Sequence, residues 1–148
     1  MTAIDRFLTS SDHRALVEEY RDLDNSEDRL AWLMERPSIH QPLAPELMTA
    51  ERKVPGCLSG LWLNGDVRAG RCYFEAKSES DMVQGIASFI CDLYGSRSAE
   101  EVLEIGDTLV SVLALERLLS TTRKRAVSST VSFILHTARE ASAHQIAV

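Results

Sequence analysis

Three cysteines, four prolines, seven glycines and an aromatic fraction of 6% leave this 148-residue chain short of several kinds of chemistry. Cys57, Cys72 and Cys91 are an odd set without CxxC spacing, which excludes a disulfide framework and a zinc-motif reading. Stability must then come from a packed core, and a chain of this length buries about 68–70% of its unfolded surface. No uncharged apolar run approaches a membrane span, and the opening residues show no apolar leader segment, so the expectation is a cytoplasmic protein with no membrane contact. There is no Gly-rich phosphate loop, no GxSxG elbow and no paired-carboxylate pattern. Basic residues are also scarce. The 16 Lys and Arg against 22 Asp and Glu give a net charge of −6, so nucleic acid is not an expected ligand.

What the chain does contain is 45% apolar and 26% charged residues, ordinary values for a globular protein. The whole acidic excess lies in residues 1–51, and its simplest meaning is a solvated acidic face. No repeat, low-complexity tract or linker divides the chain, so one domain over 1–148 is expected. The first 24 residues read as a helix capped by Ser10 or Ser11, with Leu16, Val17 and Tyr20 on its apolar side. A second helix over 25–35 is capped by Asn25 or Ser26, turns Leu30, Leu33 and Met34 inward, and stops at Pro37. All four prolines fall in 37–55, a loop-rich approach with room for a short helix over 45–50. Residues 58–64 read as a strand apolar on both faces, and the chain should reverse between Asn64 and Gly70. The returning strand, 71–77, puts Cys72, Phe74 and Ala76 on one face.

Helices follow. The clearest spans 78–94, capped by Ser78 or Ser80 and ended by Gly95, with a broad stripe from Met82 to Tyr94. Ser98 and Glu101 form a capping-box pattern opening a helix to Ile105, closed by Gly106. A further short helix covers about 112–119. The last runs from Thr121 or Thr122 to about Ala143, with Val127, Val131, Ile134, Leu135 and Ala138 inward. Helices, one small hairpin, then helices describe an α+β fold.

Among residues able to carry chemistry, Cys57 stands apart. It follows Gly56 at the end of the proline-bearing approach, on a loop that another protein can reach. Its nucleophile is the thiolate, a few per cent of an unperturbed thiol at neutral pH; nearby cations raise that share, and Arg52, Lys53 and the run Arg123-Lys124-Arg125 are the available ones. The plainer alternative makes Cys57 a small buried hydrophobe. Cys72 and Cys91 read as core thiols. Of the four histidines, His40 alone lies near enough in sequence to act on Cys57, and surface or cap roles are expected for His13, His40, His136 and His144.

The stretch Lys53-Val54-Pro55-Gly56-Cys57-Leu58-Ser59-Gly60-Leu61-Trp62 resembles the signature of the SufE family and its close relative CsdE, sulfur acceptors for cysteine desulfurases in iron–sulfur cluster assembly. Ser80 to Ile86 resembles the family's capped helix start, and Leu118 to Arg123 resembles the segment that opens its final helix. The resemblance implies a small antiparallel sheet packed by helices, shared with IscU-type scaffolds. It implies that Cys57 accepts sulfur, that Gly56 and Ser59 support its loop, and that Arg123 lies near the loop or the partner surface. The implied partners are a pyridoxal-phosphate-dependent desulfurase of SufS or CsdA type and a downstream iron–sulfur scaffold or other sulfur acceptor. The chain itself would act as a persulfide carrier with no cofactor and no metal. Leu58, Gly60, Thr121 and Lys124-Arg125 depart from the family's usual residues, which bears on the choice of desulfurase.

A persulfide carrier must shield its sulfur between encounters, so Cys57 is expected to be at least partly buried at rest, covered by Leu58 and apolar loop residues. Two other functions stay open at this point. One is an IscU-like metal or cluster scaffold using Cys57, Cys72 and Cys91. The other is a binding module that activates a desulfurase without accepting sulfur.

Overall fold

A computed structural model describes residues 13–36, 43–56 and 60–146, without the side chains of Glu116, Thr122, Gln145 and Ile146. Helix α1 (Arg14–Arg21) buries Leu16, Val17 and Tyr20 as the apolar stripe requires. Its N-cap is His13, which makes no capping bond; the proposed caps Ser10 and Ser11 lie outside the described residues. Helix α2 (Ser26–Glu35) starts as expected, with the Asn25 side chain accepting the Asp28 N–H at 2.8 Å. Its inner face is rotated from the expected one: Leu33 is buried, but Met34 is 44% exposed. The reason is that two arginines on this face spread over aromatic rings. Arg29 lies 4.9 Å from the Tyr20 ring centre and Arg36 5.6 Å from those of Trp32 and Phe89, so the face follows 29, 33 and 36. The expected helix over 45–50 is instead two 3₁₀ turns, Pro45–Leu47 and Ala50–Arg52.

Strands β1 (Leu61–Arg68) and β2 (Arg71–Ser78) form a two-stranded antiparallel sheet among the described residues. The reversal falls at the end of the expected span: β1 continues through Asn64-Gly65-Asp66, and the turn is Ala69-Gly70, with φ of 52° and 77°. Both central residues in the left-handed region make this the turn whose twist suits a hairpin. The register pairs Leu61 with Ser78, Leu63 with Ala76, Gly65 with Phe74 and Val67 with Cys72. That face is the buried one, whereas Trp62, Asn64, Asp66 and Arg68 share the polar face with Lys77, Glu75, Tyr73 and Arg71, so β1 is covered on one side only.

Helix α3 (Asp81–Tyr94) packs on β2 and α2. Ser80 caps it, accepting the Val83 N–H at 3.3 Å, while Ser78 ends β2. Ser98 caps α4 (Ala99–Ile105) through the Glu101 N–H at 3.2 Å, and Gly106 closes it. The short helix expected over 112–119 is replaced by α5 (Thr108–Val112) and a 3₁₀ turn, Leu115–Leu118. Helix α6 (Thr121–Ile146) extends 26 residues and buries Val127, Val131, Ile134 and Ala138, with Leu135 only half-buried. It packs against α3, α4 and β1. No helix among the described residues is long and apolar enough to cross a membrane.

The interior also holds groups that composition does not reveal. His13 is buried, not on the surface, and its Nε2 lies 2.9 Å from the Gly95 carbonyl. Arg97 is buried and donates Nε–H to the Leu93 carbonyl at 2.8 Å. Arg36 donates to the carboxylate of Asp92, and both side chains are almost wholly buried.

Candidate functional site

Cys57, Leu58 and Ser59 lie outside the described residues, and with them the expected shielding of the Cys57 thiol. The Val54 N–H donates to the Leu61 carbonyl at 2.7 Å, and Lys53 faces Trp62 across an antiparallel bridge. The Lys53 Nζ sits 5.3 Å from the centre of the Trp62 ring. These contacts tie the chain on both sides of residues 55–60, so the segment carrying Cys57 starts and ends at one fixed place on β1.

Gly56 and Gly60 stand at either end of the undescribed triplet, with φ of +75° and +68°. Side chains other than Gly adopt this region rarely. Space is also restricted there. A Cβ at Gly56 would sit 2.7 Å from Arg125 Nη1, and one at Gly60 would sit 3.2 Å from Glu79 Oε1 and from the Trp62 ring. Gly60 is held further by its carbonyl, which accepts from the Ser78 hydroxyl at 2.8 Å.

A cation at Gly56 is Arg125. Arg123 is exposed, and its Nη1 donates to the thioether of Met82 at 3.2 Å, at the start of α3. Arg125 belonged to a basic run visible in the sequence, but only the placement of α6 against segment 51–56 brings it to the loop. The two elements bound a groove of about 910 Å³ that sequence reasoning missed. Segment 51–56 forms one wall, Leu63 to Gly65 lie at its floor, and the face of α6 from Arg125 to Glu140 forms the other. His136 reaches this groove and pairs with Glu140 at 3.1 Å, both side chains being largely exposed. His40 lies outside the described residues and His144 is exposed.

Cys72 and Cys91 are free thiols at 0% and 3% exposure. Burial is the main reason the Cys72 pKa is raised, with Glu100 adding to it. Burial pushes the Cys91 thiol up strongly, helped by Asp92 and Glu75. Both stay protonated at neutral pH and are closed to solvent, the opposite of what a nucleophile or thiolate ligand needs. Among the described residues no three His, Cys, Asp or Glu side chains come together in a way that could hold a metal ion. Native protein is expected to leave Cys72 and Cys91 unmodified by iodoacetamide at pH 8 over hours, as read by peptide mass mapping. Unfolding in guanidinium should make both react within minutes. Modification of either in the folded chain would contradict the burial.

The SufE Fe–S metabolism associated domain matches residues 14–138. The chain belongs to the SufE family. That membership places it in iron–sulfur metabolism. A SufE-like protein of Rhizobium etli is 29% identical over 90% of this chain and 92% of its own length. The chloroplastic SufE-like protein 2 of Arabidopsis thaliana is 31% identical over 66% of this chain and 38% of its own. The chloroplastic quinolinate synthase of the same plant is 30% identical over 61% of this chain, a match that spans 13% of that enzyme. The solution structure of a hypothetical protein from Thermus thermophilus superposes with a TM-score of 0.70 at 20% identity, over 88% of this chain and 95% of that one, and shares the α+β fold.

Proposed function

We propose that this SufE-family chain is a persulfide carrier, with Cys57 as the residue that accepts sulfur from a cysteine desulfurase of SufS or CsdA type. The observation that carries the reading is the pairing of Lys53-Val54 with Leu61-Trp62, which fixes the chain on both sides of the signature cysteine. The Cys57 thiolate attacks the terminal sulfur of the desulfurase persulfide. The S–S bond of the donor breaks, its cysteine leaves as thiolate, and a new S–S bond forms on Cys57. One sulfur moves and no net oxidation occurs. The Cys57 persulfide then gives up that sulfur to an iron–sulfur scaffold or another acceptor thiol by the same exchange.

Gly56 gives the approach its left-handed turn, and Ser59 and Arg123 support the loop or the partner contact. Arg125 holds positive charge beside Gly56, which favours a thiolate at the following residue. The carrier works as one domain, in a reducing cytoplasm, and needs no cofactor of its own. The buried, protonated state of Cys72 and Cys91 weighs against the three-cysteine scaffold reading.

The test is intact mass after incubation with a SufS-type desulfurase and free cysteine. The wild-type chain is expected to gain about 32 Da, one sulfur atom, reversible by dithiothreitol. Cys57→Ser is expected to gain none. A wild-type chain that stimulates the desulfurase yet never gains mass would replace the carrier reading with the activating-module one.

A further inference from the structure

The outer edge of β1 leads into the groove. Because the Val54 N–H bonds the Leu61 carbonyl, Leu61 turns its backbone polar groups away from β2. Strand alternation then turns those of Leu63, Gly65 and Val67 the same way. The neighbouring segment covers only the first part of this edge, since the 3₁₀ turn Ala50–Arg52 carries it off the strand. Among the described residues no strand pairs with the outer side of Gly65 or Val67; the Val67 N–H donates to the exposed Asp66 carboxylate at 2.9 Å, a local bond that an incoming strand must displace. Gly65 lies in the groove and Val67 is 41% exposed. An open edge of this kind is a template for another extended chain.

The charge around the edge selects the kind of chain. Arg52, Lys53 and Arg125 line the end of the groove nearest Gly56. Arg52 is held by neutral partners, Asn64 Oδ1 at 2.9 Å and Thr49 Oγ1 at 3.1 Å. Lys53 rests on an indole, and Arg125 lies against a glycine. None of the three pairs with a carboxylate among the described residues. The groove's acids are Glu51 and Glu140, and Glu140 is engaged by His136. In a chain of net charge −6 this is a local basic rim beside a strand edge that no other described strand covers at Gly65.

We propose that the groove docks an extended acidic segment of a partner protein, which adds to β1 as a strand at Gly65 and Val67 while Arg52, Lys53 and Arg125 receive its carboxylates. Backbone pairing supplies attachment, and the basic rim supplies the preference. The proposal does not depend on sulfur transfer.

The test titrates the full, isotopically labelled chain with three capped octapeptides in the absence of desulfurase and cysteine, followed by amide NMR shifts. Alternating Glu-Val is expected to shift the Gly65 and Val67 amides. Alternating Lys-Val should bind at least tenfold more weakly. A Glu-Val peptide N-methylated at every backbone nitrogen keeps the charge but has no N–H donor on either edge, and should also bind at least tenfold more weakly. Arg125→Glu, a change on an exposed side chain, is expected to weaken Glu-Val binding at least tenfold while leaving the α6 amide pattern intact. Absence of shifts at Gly65 and Val67 would overturn the proposal. Equal binding of the N-methylated peptide would overturn it too, leaving an anion site without strand addition, and so would an Arg125→Glu chain that binds Glu-Val as tightly as wild type.

Discussion

Replacing Asp92 by Ala is expected to lower the unfolding free energy by about 3–5 kcal/mol, the range for breaking a buried ion pair from one side. The Asp92 side chain is 0% exposed, and that of its partner Arg36 is 6% exposed. Removing the carboxylate leaves a guanidinium among Trp32 and Phe89 with no counter-charge in its place. That is a large part of the roughly 5–15 kcal/mol that holds a domain of ordinary stability together. Urea denaturation of the single variant should show the lower midpoint with little change in slope. The double change Arg36→Met with Asp92→Leu removes both charges and keeps apolar volume over the rings, and it should recover most of the loss. A double variant as unstable as the single one would mean that the pair acts through geometry that apolar contacts do not replace.

This pair shows where sequence reading stops. Asp92 sits on a helix whose apolar stripe was plain, and Arg36 sits at the end of another, 56 positions away. Nothing local distinguishes either from a surface charge. His13 and Arg97 are hidden for the same reason, since their burial follows from how helices and hairpin meet. Local signals were legible where one element decides the outcome. Asn25, Ser80 and Ser98 cap the helices that their positions announce, because each satisfies an N–H three residues ahead. The hairpin was half legible. Asn64-Gly65 is the stronger turn signal, yet turning there would set Leu63 opposite Asp66 and Leu61 opposite Arg68. Turning at Ala69-Gly70 instead sets Leu63 opposite Ala76 and Val67 opposite Cys72, and leaves Asp66 and Arg68 on the polar face. Matching the period-two pattern over eight pairs outweighs local turn preference.

The candidate site divides in the same way. The Gly56-Cys57 signature and the family it belongs to were readable as a linear pattern, and the fold class followed. The groove was not, because it is made by two segments far apart in the chain, 51–56 and the face of α6 from Arg125 onward. On α6 the residues facing it include Ser129, Ser132 and His136, which by composition describe a solvent face. Arg125 departs from the family's usual residue, and in isolation that departure had no direction. Its contact with Gly56 gives it one: this chain carries a cation beside Gly56, while Arg123 reaches Met82 at the start of α3.

Gly85→Ala is expected to destabilise the protein by about 2 kcal/mol, against the usual sign for such a change inside a helix. Gly85 lies in the interior of α3, where Ala is favoured over Gly by about 1 kcal/mol. Its φ is not in the left-handed region, so backbone freedom is not why glycine stands there. Close approach is. A Cβ at this position would fall 2.6 Å from the Leu33 carbonyl oxygen and 3.1 Å from the Met34 Cα, both backbone atoms of α2 that no side-chain rotation can move. To admit the methyl group, α2 must withdraw from α3. That withdrawal strains the contacts of Leu33 and the Arg36–Asp92 pair across the same seam, an overpacking cost of about 3 kcal/mol that exceeds the propensity gain. The two seam changes are coupled through one interface. Gly85→Ala combined with Asp92→Ala should therefore cost less than the sum of the single losses, because once the pair is broken the withdrawal of α2 has less to disturb. Strict additivity in that double-mutant cycle would place the strain of Gly85→Ala elsewhere on α2, and a rise in stability for the single variant would show that the helices separate without resistance.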